Sequence, residues 1–224
     1  MPRRQIILAN EEIYHVFNKG VADLPIFRDQ YDYRRIIELV NFYRFQKPPS
    51  RYSFFSRLPK NTKNEILSKL QKTNQQVKIF AFVLMPNHYH FQLKQLTDNG
   101  ISKFMGNLQN AYARFFNTRH HKTGSLFQLR FKAIRMESEE QLLHLNRYIH
   151  LNPLTSYLIR KPEDLKTYQR SSYPCFFNSD QQSFIDTDFI LKMFSNNRQN
   201  FSKFVLNQAD YQRQLASIKH LILE

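Results

Sequence analysis

The 224-residue sequence is short of cysteine, tryptophan, glycine and acidic side chains. Its single cysteine, Cys175, permits neither an intramolecular disulfide nor a thiolate metal site, which fits a reducing compartment. Four glycines leave little room for a Walker or dinucleotide-binding loop. The apolar run at residues 6–9 is too short for a signal peptide, and no window approaches a membrane span. We therefore expect a cytoplasmic protein without a membrane partner.

Positive charge and aromatic rings are what the sequence has in excess. It holds 33 lysines and arginines against 18 aspartates and glutamates, a formal charge of +15, together with 21 phenylalanines and 12 tyrosines. Cations meet phosphates and aromatic rings stack on unpaired bases, so this composition puts nucleic acid first among the expected partners. Apolar residues make up 42% of the chain, which excludes global disorder and allows a real hydrophobic core.

Hydrophobic periodicity predicts the element order β-α-β-β-α-β-α, with a polar, basic and partly helical insertion at about residues 48–75. Asp29 is predicted to cap the first helix, and Ser138 and Gln141 to form a capping box at the start of the last one. The alternation over residues 125–134 predicts the fourth strand. Residues 77–85 form an apolar run typical of a central strand, and the segment that follows alternates between apolar and polar side chains. This order predicts an α+β fold of the ferredoxin or RNA-recognition type, an antiparallel sheet with helices on one face. Residues 1–177 would form this domain, and 178–224 a helical C-terminal extension.

The other sheet face is predicted to be open and polar, because side chains on a strand point alternately to its two faces. We expect nucleic acid to bind there. The polar residues predicted to contact it are Gln92, Lys94, Gln128, Arg130 and Lys132.

Two histidines lie on the same predicted face. His88 and His90 stand two positions apart on one strand, close enough to share a metal ion. Two ordinary surface histidines beside a turn would give the same pattern. The regular alternation of the strand and the basic character of the face favour the metal site.

The last long predicted helix carries a second candidate group. His144, Tyr148 and Asn152 are spaced four residues apart and share one stripe. Tyr148 is either a half-buried structural side chain that exposes its polar hydroxyl, or a side chain whose hydroxyl reaches the sheet face. Tyr112 is an alternative tyrosine, although it lies in the apolar stripe of its own helix. Asn152, followed by proline, also has the pattern of an N-cap that starts a new short helix.

These segments resemble a known family. MPNHYHFQL is similar to the HUH motif (His, a bulky residue, His) of the IS200-like single-strand transposases. HVFNKG, TGSLFQLRFKAI, RYIHLNP and SSYP resemble the REP-associated tyrosine transposase branch, in the same order, over about residues 12–174. The resemblance implies that His88 and His90 are metal ligands and that Tyr148 is the nucleophile. Asn152 stands where the group has a third polar ligand, often Gln.

The resemblance also implies an activity. It indicates a DNA strand transferase that cleaves and rejoins single-stranded or hairpin DNA of palindromic repeat elements through a 5′-phosphotyrosine. The cofactor would be a divalent metal ion, Mg²⁺ or Mn²⁺. Mixed nitrogen and amide ligands suit Mn²⁺ or another first-row ion better than Mg²⁺. The alternatives are a non-catalytic module that binds single-stranded nucleic acid and a metal-dependent ribonuclease. A homodimer and a monomer are both compatible with the sequence.

Overall fold

The computed structural model describes residues 7–128, 130–178 and 182–207. Within these ranges, four strands form one antiparallel sheet in the order β2-β3-β1-β4. The strands are β1 (Ile13–Lys19), β2 (Val77–Met85), β3 (His88–Gln95) and β4 (Lys132–Arg135). The helices are α1 (Gln30–Tyr43), α2 (Tyr52–Phe55), α3 (Lys60–Gln71), α4 (Gly100–Arg119), α5 (Glu139–Thr155), α6 (Thr187–Lys192) and α7 (Arg198–Leu206). The predicted α+β fold is confirmed.

The fourth strand is shorter than predicted. β4 pairs antiparallel with β1, with Phe17 opposite Lys132, whereas the sequence indicated a strand from about residue 125. Earlier in this segment, Phe127 makes one isolated bridge, to Gly20. The side-chain amide of Asn18 donates to the carbonyl of Gln128 at 3.2 Å. A side chain thus binds this carbonyl where a regular ladder would use a backbone N–H. Residue 129, part of the predicted strand, lies outside the described residues.

Helices α2 and α3 occupy the segment 48–75, which was predicted to be a partly helical insertion. Helix α1 begins as predicted at Asp29, whose carboxylate accepts hydrogen bonds from the backbone N–H groups of Tyr31 and Asp32. This cap satisfies donors that the first helical turn leaves without partners. None of the helices in the described ranges combines the length and hydrophobicity that crossing a bilayer requires.

The chain divides into two compact units. The first comprises the described residues of 1–78, 86–88 and 93–135, and its helices α1 and α4 pack against each other. The second comprises the described residues of 79–85, 89–92 and 136–224 and contains α5, α6 and α7. Helices α6 and α7 agree with the predicted helical extension, and the remainder of that prediction, residues 208–224, lies outside the described residues.

The core of the second unit forms where α5 meets β2. Leu145 and Ile149 of α5 pack on Ala81, Val83 and Met85. Helix α7 adds a second layer. Its Phe201 stacks on Phe176 with the ring centroids 4.3 Å apart, and His150 of α5 lies fully buried against both rings.

Candidate active site

The local sequence fixes where α5 begins and ends. The hydroxyl of Ser138 accepts a hydrogen bond from the backbone N–H of Gln141, and the Gln141 side chain accepts one from the backbone N–H of Glu137. This arrangement resembles the predicted capping box. At the other end, α5 continues through Pro153, and the Ser156 N–H still donates to the Asn152 carbonyl. The prediction that Asn152 caps a new helix is therefore wrong.

Hydrogen bonds between buried side-chain amides and the backbone join one side of α5 to β3. Gln92 of β3 donates its side-chain N–H to the carbonyl of Leu142 at 3.0 Å, and the Asn146 amide donates to Gln92 Oε1 at 2.9 Å. Both side chains are fully buried. Such bonds fix the position of the helix along the strand, because a buried amide left without a partner is costly.

This packing differs from two expectations. We predicted an open sheet face, but α5 covers the face at His90 and Gln92, which are almost or completely buried. We also predicted that Gln92 contacts DNA, whereas its amide is used inside the protein to hold α5. Alternation along a strand shows which side chains share a face and not what packs on it. The one sequence signal for this contact was a polar residue, Asn146, within the apolar stripe of α5.

The opposite side of α5 places Tyr148 beside His90. The two rings meet edge to face, with centroids 5.4 Å apart and planes at 85°. His90 is 7% exposed, whereas Tyr148 is 41% exposed. Asn152, one turn further along α5, is nearly buried, and its side chain donates a hydrogen bond to the Tyr148 hydroxyl. His90, predicted on a strand, and Tyr148 and Asn152, predicted on one stripe of a helix, thus form one cluster.

The electrostatic environment keeps the phenol of Tyr148 protonated at neutral pH. Partial burial raises the pKa of Tyr148 above its ordinary value, because burial disfavours the phenolate. The hydrogen bond from Asn152 acts in the opposite direction, since it stabilises the charged form. For this oxygen to act as a nucleophile, a further group must therefore help to remove the phenol proton.

His88 stands at the first position of β3 and is half-buried. Its Nδ1 lies 2.7 Å from the side-chain oxygen of Asn87. When Nδ1 donates this bond, the lone pair is at Nε2. An outer carbonyl or carboxylate that orients a ring in this way is the usual second partner of a metal-binding histidine.

The side chains predicted to bind a metal have donor atoms of types that divalent first-row ions accept. In the described ranges, no three side chains of the His, Cys, Asp or Glu type come together to hold a metal. The predicted ligands are the imidazoles of His88 and His90 and the amide oxygen of Asn152. Imidazole nitrogen and amide oxygen are donors that suit a first-row ion.

The other residues predicted to contact DNA have different surroundings. Arg130 and Lys132 are exposed, and the Lys132 ammonium lies 5.9 Å from the centroid of the Phe17 ring. Gln128 is half-buried. Lys94 forms an ion pair with Glu11 at 2.6 Å. Arg130 and Lys132 are thus the two of this set with exposed positive charge.

Tyr112, the alternative tyrosine, is a core residue. It is fully buried and its hydroxyl donates to the backbone carbonyl of Ile26. Burial raises the pKa of Tyr112 far above its ordinary value. This hydroxyl is therefore out of reach of a DNA strand in the structure.

Comparison with known proteins gives one match to a family model. Residues 46–152, which contain His88, His90, Tyr148 and Asn152, match the family described as IS200-like transposases. This match supports the resemblance to the IS200-like transposases that the sequence predicted.

A solved structure described as a REP-associated tyrosine transposase bound to a REP hairpin has a similar fold. The TM-score is 0.50 at 15% sequence identity, over 77% of this chain and 82% of that chain. At this identity the likeness concerns the fold alone. No curated protein sequence matches this chain.

Proposed function

We propose that the protein is a metal-dependent strand transferase that cleaves and rejoins single-stranded or hairpin DNA, with Tyr148 as its nucleophile. The observation that carries the proposal is the cluster on α5. A partly exposed tyrosine lies against the ring of His90 and accepts a hydrogen bond from Asn152. The match of residues 46–152 to the IS200-like transposases supports action on DNA.

The chemistry follows from the groups in the cluster. The Tyr148 oxygen attacks the scissile phosphorus, the bond from phosphorus to the 3′ oxygen breaks, and the phenol proton is replaced by the new ester bond. The departing 3′ oxygen takes up a proton, so the products are a 5′-phosphotyrosine and a free 3′-OH. His88, His90 and Asn152 are the residues that would hold a divalent ion, which would supply Lewis-acid polarisation and a template for the phosphate. Because the ester retains the energy of the phosphodiester, rejoining needs no ATP.

We propose a DNA hairpin with a single-stranded flank as the substrate. The likeness in fold to a transposase bound to a REP hairpin and the formal charge of +15 support this choice. Arg130 and Lys132 offer exposed positive charge for the phosphates.

Replacement of Tyr148 by phenylalanine tests the nucleophile. Tyr148→Phe keeps the ring and its contact with His90, so it should fold and bind the hairpin as the wild type does, yet form no covalent adduct. The assay is a denaturing gel with a labelled hairpin that carries a single-stranded flank, in the presence of Mn²⁺ or Mg²⁺. Tyr157→Phe is the matched control, because Tyr157 is 63% exposed and lies beyond the end of α5.

The outcomes separate the alternatives. An adduct in Tyr148→Phe would assign the reaction to another tyrosine. Cleavage by the wild type without any trapped adduct would indicate a nuclease. Hairpin binding without cleavage in any metal would indicate a non-catalytic module.

Removal of the metal or of its proposed ligands should stop cleavage and spare binding. His90→Ala and His88→Ala are each expected to abolish the adduct and to leave most of the hairpin affinity, because phosphate contacts are spread over many side chains. EDTA should have the same effect on the wild type, reversed by excess Mn²⁺. Undiminished cleavage in EDTA would refute the metal site.

A further inference from the structure

The first unit contains a cavity that none of the predicted site residues lines. It has a volume of about 600 Å³, within the range of small-ligand sites. Helices α1 and α4 and residues 51–57 form its walls. Five arginines line it, and the lining contains no aspartate or glutamate.

Residues 51–57 are fixed to α1. The backbone N–H of Tyr52 donates to the Tyr43 hydroxyl at 3.1 Å, and the Tyr52 hydroxyl donates to Glu38 at 2.8 Å. Tyr52 and Phe55 are buried and pack around the ring of Phe42. The segment is therefore a rigid wall of the cavity and not a loose loop.

Two of the five arginines are held by partners inside the protein. Arg119 forms ion pairs with Asp29 at 2.7 Å and with buried Asp32 at 2.9 Å. Arg35 lies 3.4 Å from Glu38, with its guanidinium close to the rings of Tyr52 and Phe115. These contacts hold the two cations in place at the cavity.

The other three are Arg51, Arg57 and Arg114. All three are exposed, and none forms an ion pair with a carboxylate in the part of the chain that the structure describes. Three guanidinium groups with unneutralised charge around one cavity repel one another. An anion relieves this repulsion, and guanidinium groups bind phosphate oxygens through paired N–H donors.

We propose that this cavity is a second DNA-binding site, in which Arg51, Arg57 and Arg114 bind consecutive backbone phosphates of the substrate strand. The proposal rests on the proposed function, since it takes the ligand to be the DNA that Tyr148 cleaves. The site contributes affinity and no chemistry. Side-chain amides of Asn107 and Asn110 on α4 line the same cavity and add hydrogen-bond donors for phosphate oxygens.

The test compares two variants that lose the same charge. One is the triple variant Arg51→Gln, Arg57→Gln and Arg114→Gln. The matched control is Lys60→Gln, Lys69→Gln and Lys72→Gln, which changes three exposed lysines within the same 48–75 segment that do not line the cavity. All six side chains are exposed, so both variants should melt at the wild-type temperature. Affinity for a labelled hairpin with a single-stranded flank is measured by fluorescence anisotropy at several salt concentrations.

The arginine variant should bind about tenfold more weakly than the control. Its plot of log K against log salt should be shallower by about 2, since each phosphate contact to a single strand contributes about 0.7 to the slope. Adduct formation at saturating DNA should remain at the wild-type rate. Equal affinities and slopes in the two triple variants would refute the site, because only net charge would then matter.

Two further results distinguish the alternatives. If the arginine variant loses binding of free ATP and keeps its affinity for the hairpin, the cavity is a nucleotide site and the proposal is wrong. The wild type could form no adduct while the arginine variant still binds DNA more weakly than the control. This result would refute the proposed strand transfer by Tyr148 and support the proposed DNA-binding cavity.

Discussion

The buried amide pair that joins α5 to β3 allows a quantitative test. Gln92→Leu removes the side chain that binds both the Leu142 carbonyl and the Asn146 amide, at 3.0 and 2.9 Å. Asn146 is fully buried, so its N–H group would lose its partner without gaining water. Such a loss costs about 1–3 kcal/mol. For a chain of this size, 1 kcal/mol corresponds to about 2–4 °C, so the melting temperature should fall by about 2–12 °C.

The reciprocal change should cost less. Asn146→Leu leaves Gln92 Oε1 without its donor, but it also removes Asn146 Oδ1, a buried acceptor that has no hydrogen-bond partner in the described part of the chain. The double variant replaces both amides by apolar groups. It therefore leaves fewer polar atoms without partners than the two single variants do together. The two effects should therefore be less than additive, with a coupling of about 1–2 kcal/mol.

Thermal melting of the four proteins, followed by circular dichroism, measures this coupling. Adduct formation measured well below the melting temperatures adds a functional readout, since Tyr148 lies on the same helix as Asn146. Both single variants should form the adduct more slowly. Additivity within about 0.5 kcal/mol would refute the claim that these amides act as a pair.

Two other predictions concern titrating groups on α5. Asn152→Ala removes the hydrogen bond that lowers the pKa of Tyr148, so this pKa should rise. The alkaline limb of the pH profile for adduct formation should then move to higher pH. An unchanged pH profile would contradict this role of Asn152. Burial lowers the pKa of His150 to about 3 from 6.5, so the unfolded chain binds this proton first as the pH falls. The stability associated with neutral His150 is complete above pH 6.5 and should decline by about 1.4 kcal/mol per pH unit between pH 6.5 and 3. His150→Gln should flatten this decline in acid unfolding curves and exposed His121→Asn should not; equal curves for the two variants would argue against it.

Local patterns were sufficient to predict the elements that carry the candidate site. Strand β2 coincides with its apolar run at residues 77–85, and β3 with the alternating segment that follows. The helix N-caps at Asp29 and Ser138 could be predicted because a carboxylate or hydroxyl at these positions accepts hydrogen bonds from N–H groups of the next turn. These features depend on neighbours within a few residues.

Contacts between distant segments were not predictable in this way. The covered sheet face depends on Gln92 and Asn146, which are 54 residues apart, and periodicity gives no information about such a pair. The irregular pairing before β4 includes a hydrogen bond between Asn18 and Gln128, 110 residues apart. At Asn152 the local rule itself misled, because proline near a helix end is tolerated when the surrounding packing stabilises the last turn.

The burial of the cluster has a consequence for the order of events at Tyr148. The phenol is partly exposed, but its raised pKa means that the protein without DNA carries a neutral hydroxyl at neutral pH. Asn152 lowers that pKa without returning it to its ordinary value. If Tyr148 is the nucleophile, its proton would leave as the oxygen attacks the phosphorus, because the new bond withdraws electron density from the phenol oxygen and a divalent ion at the site would add positive charge. Strand cleavage is then coupled to substrate binding, and the protein without DNA does not expose a reactive phenolate.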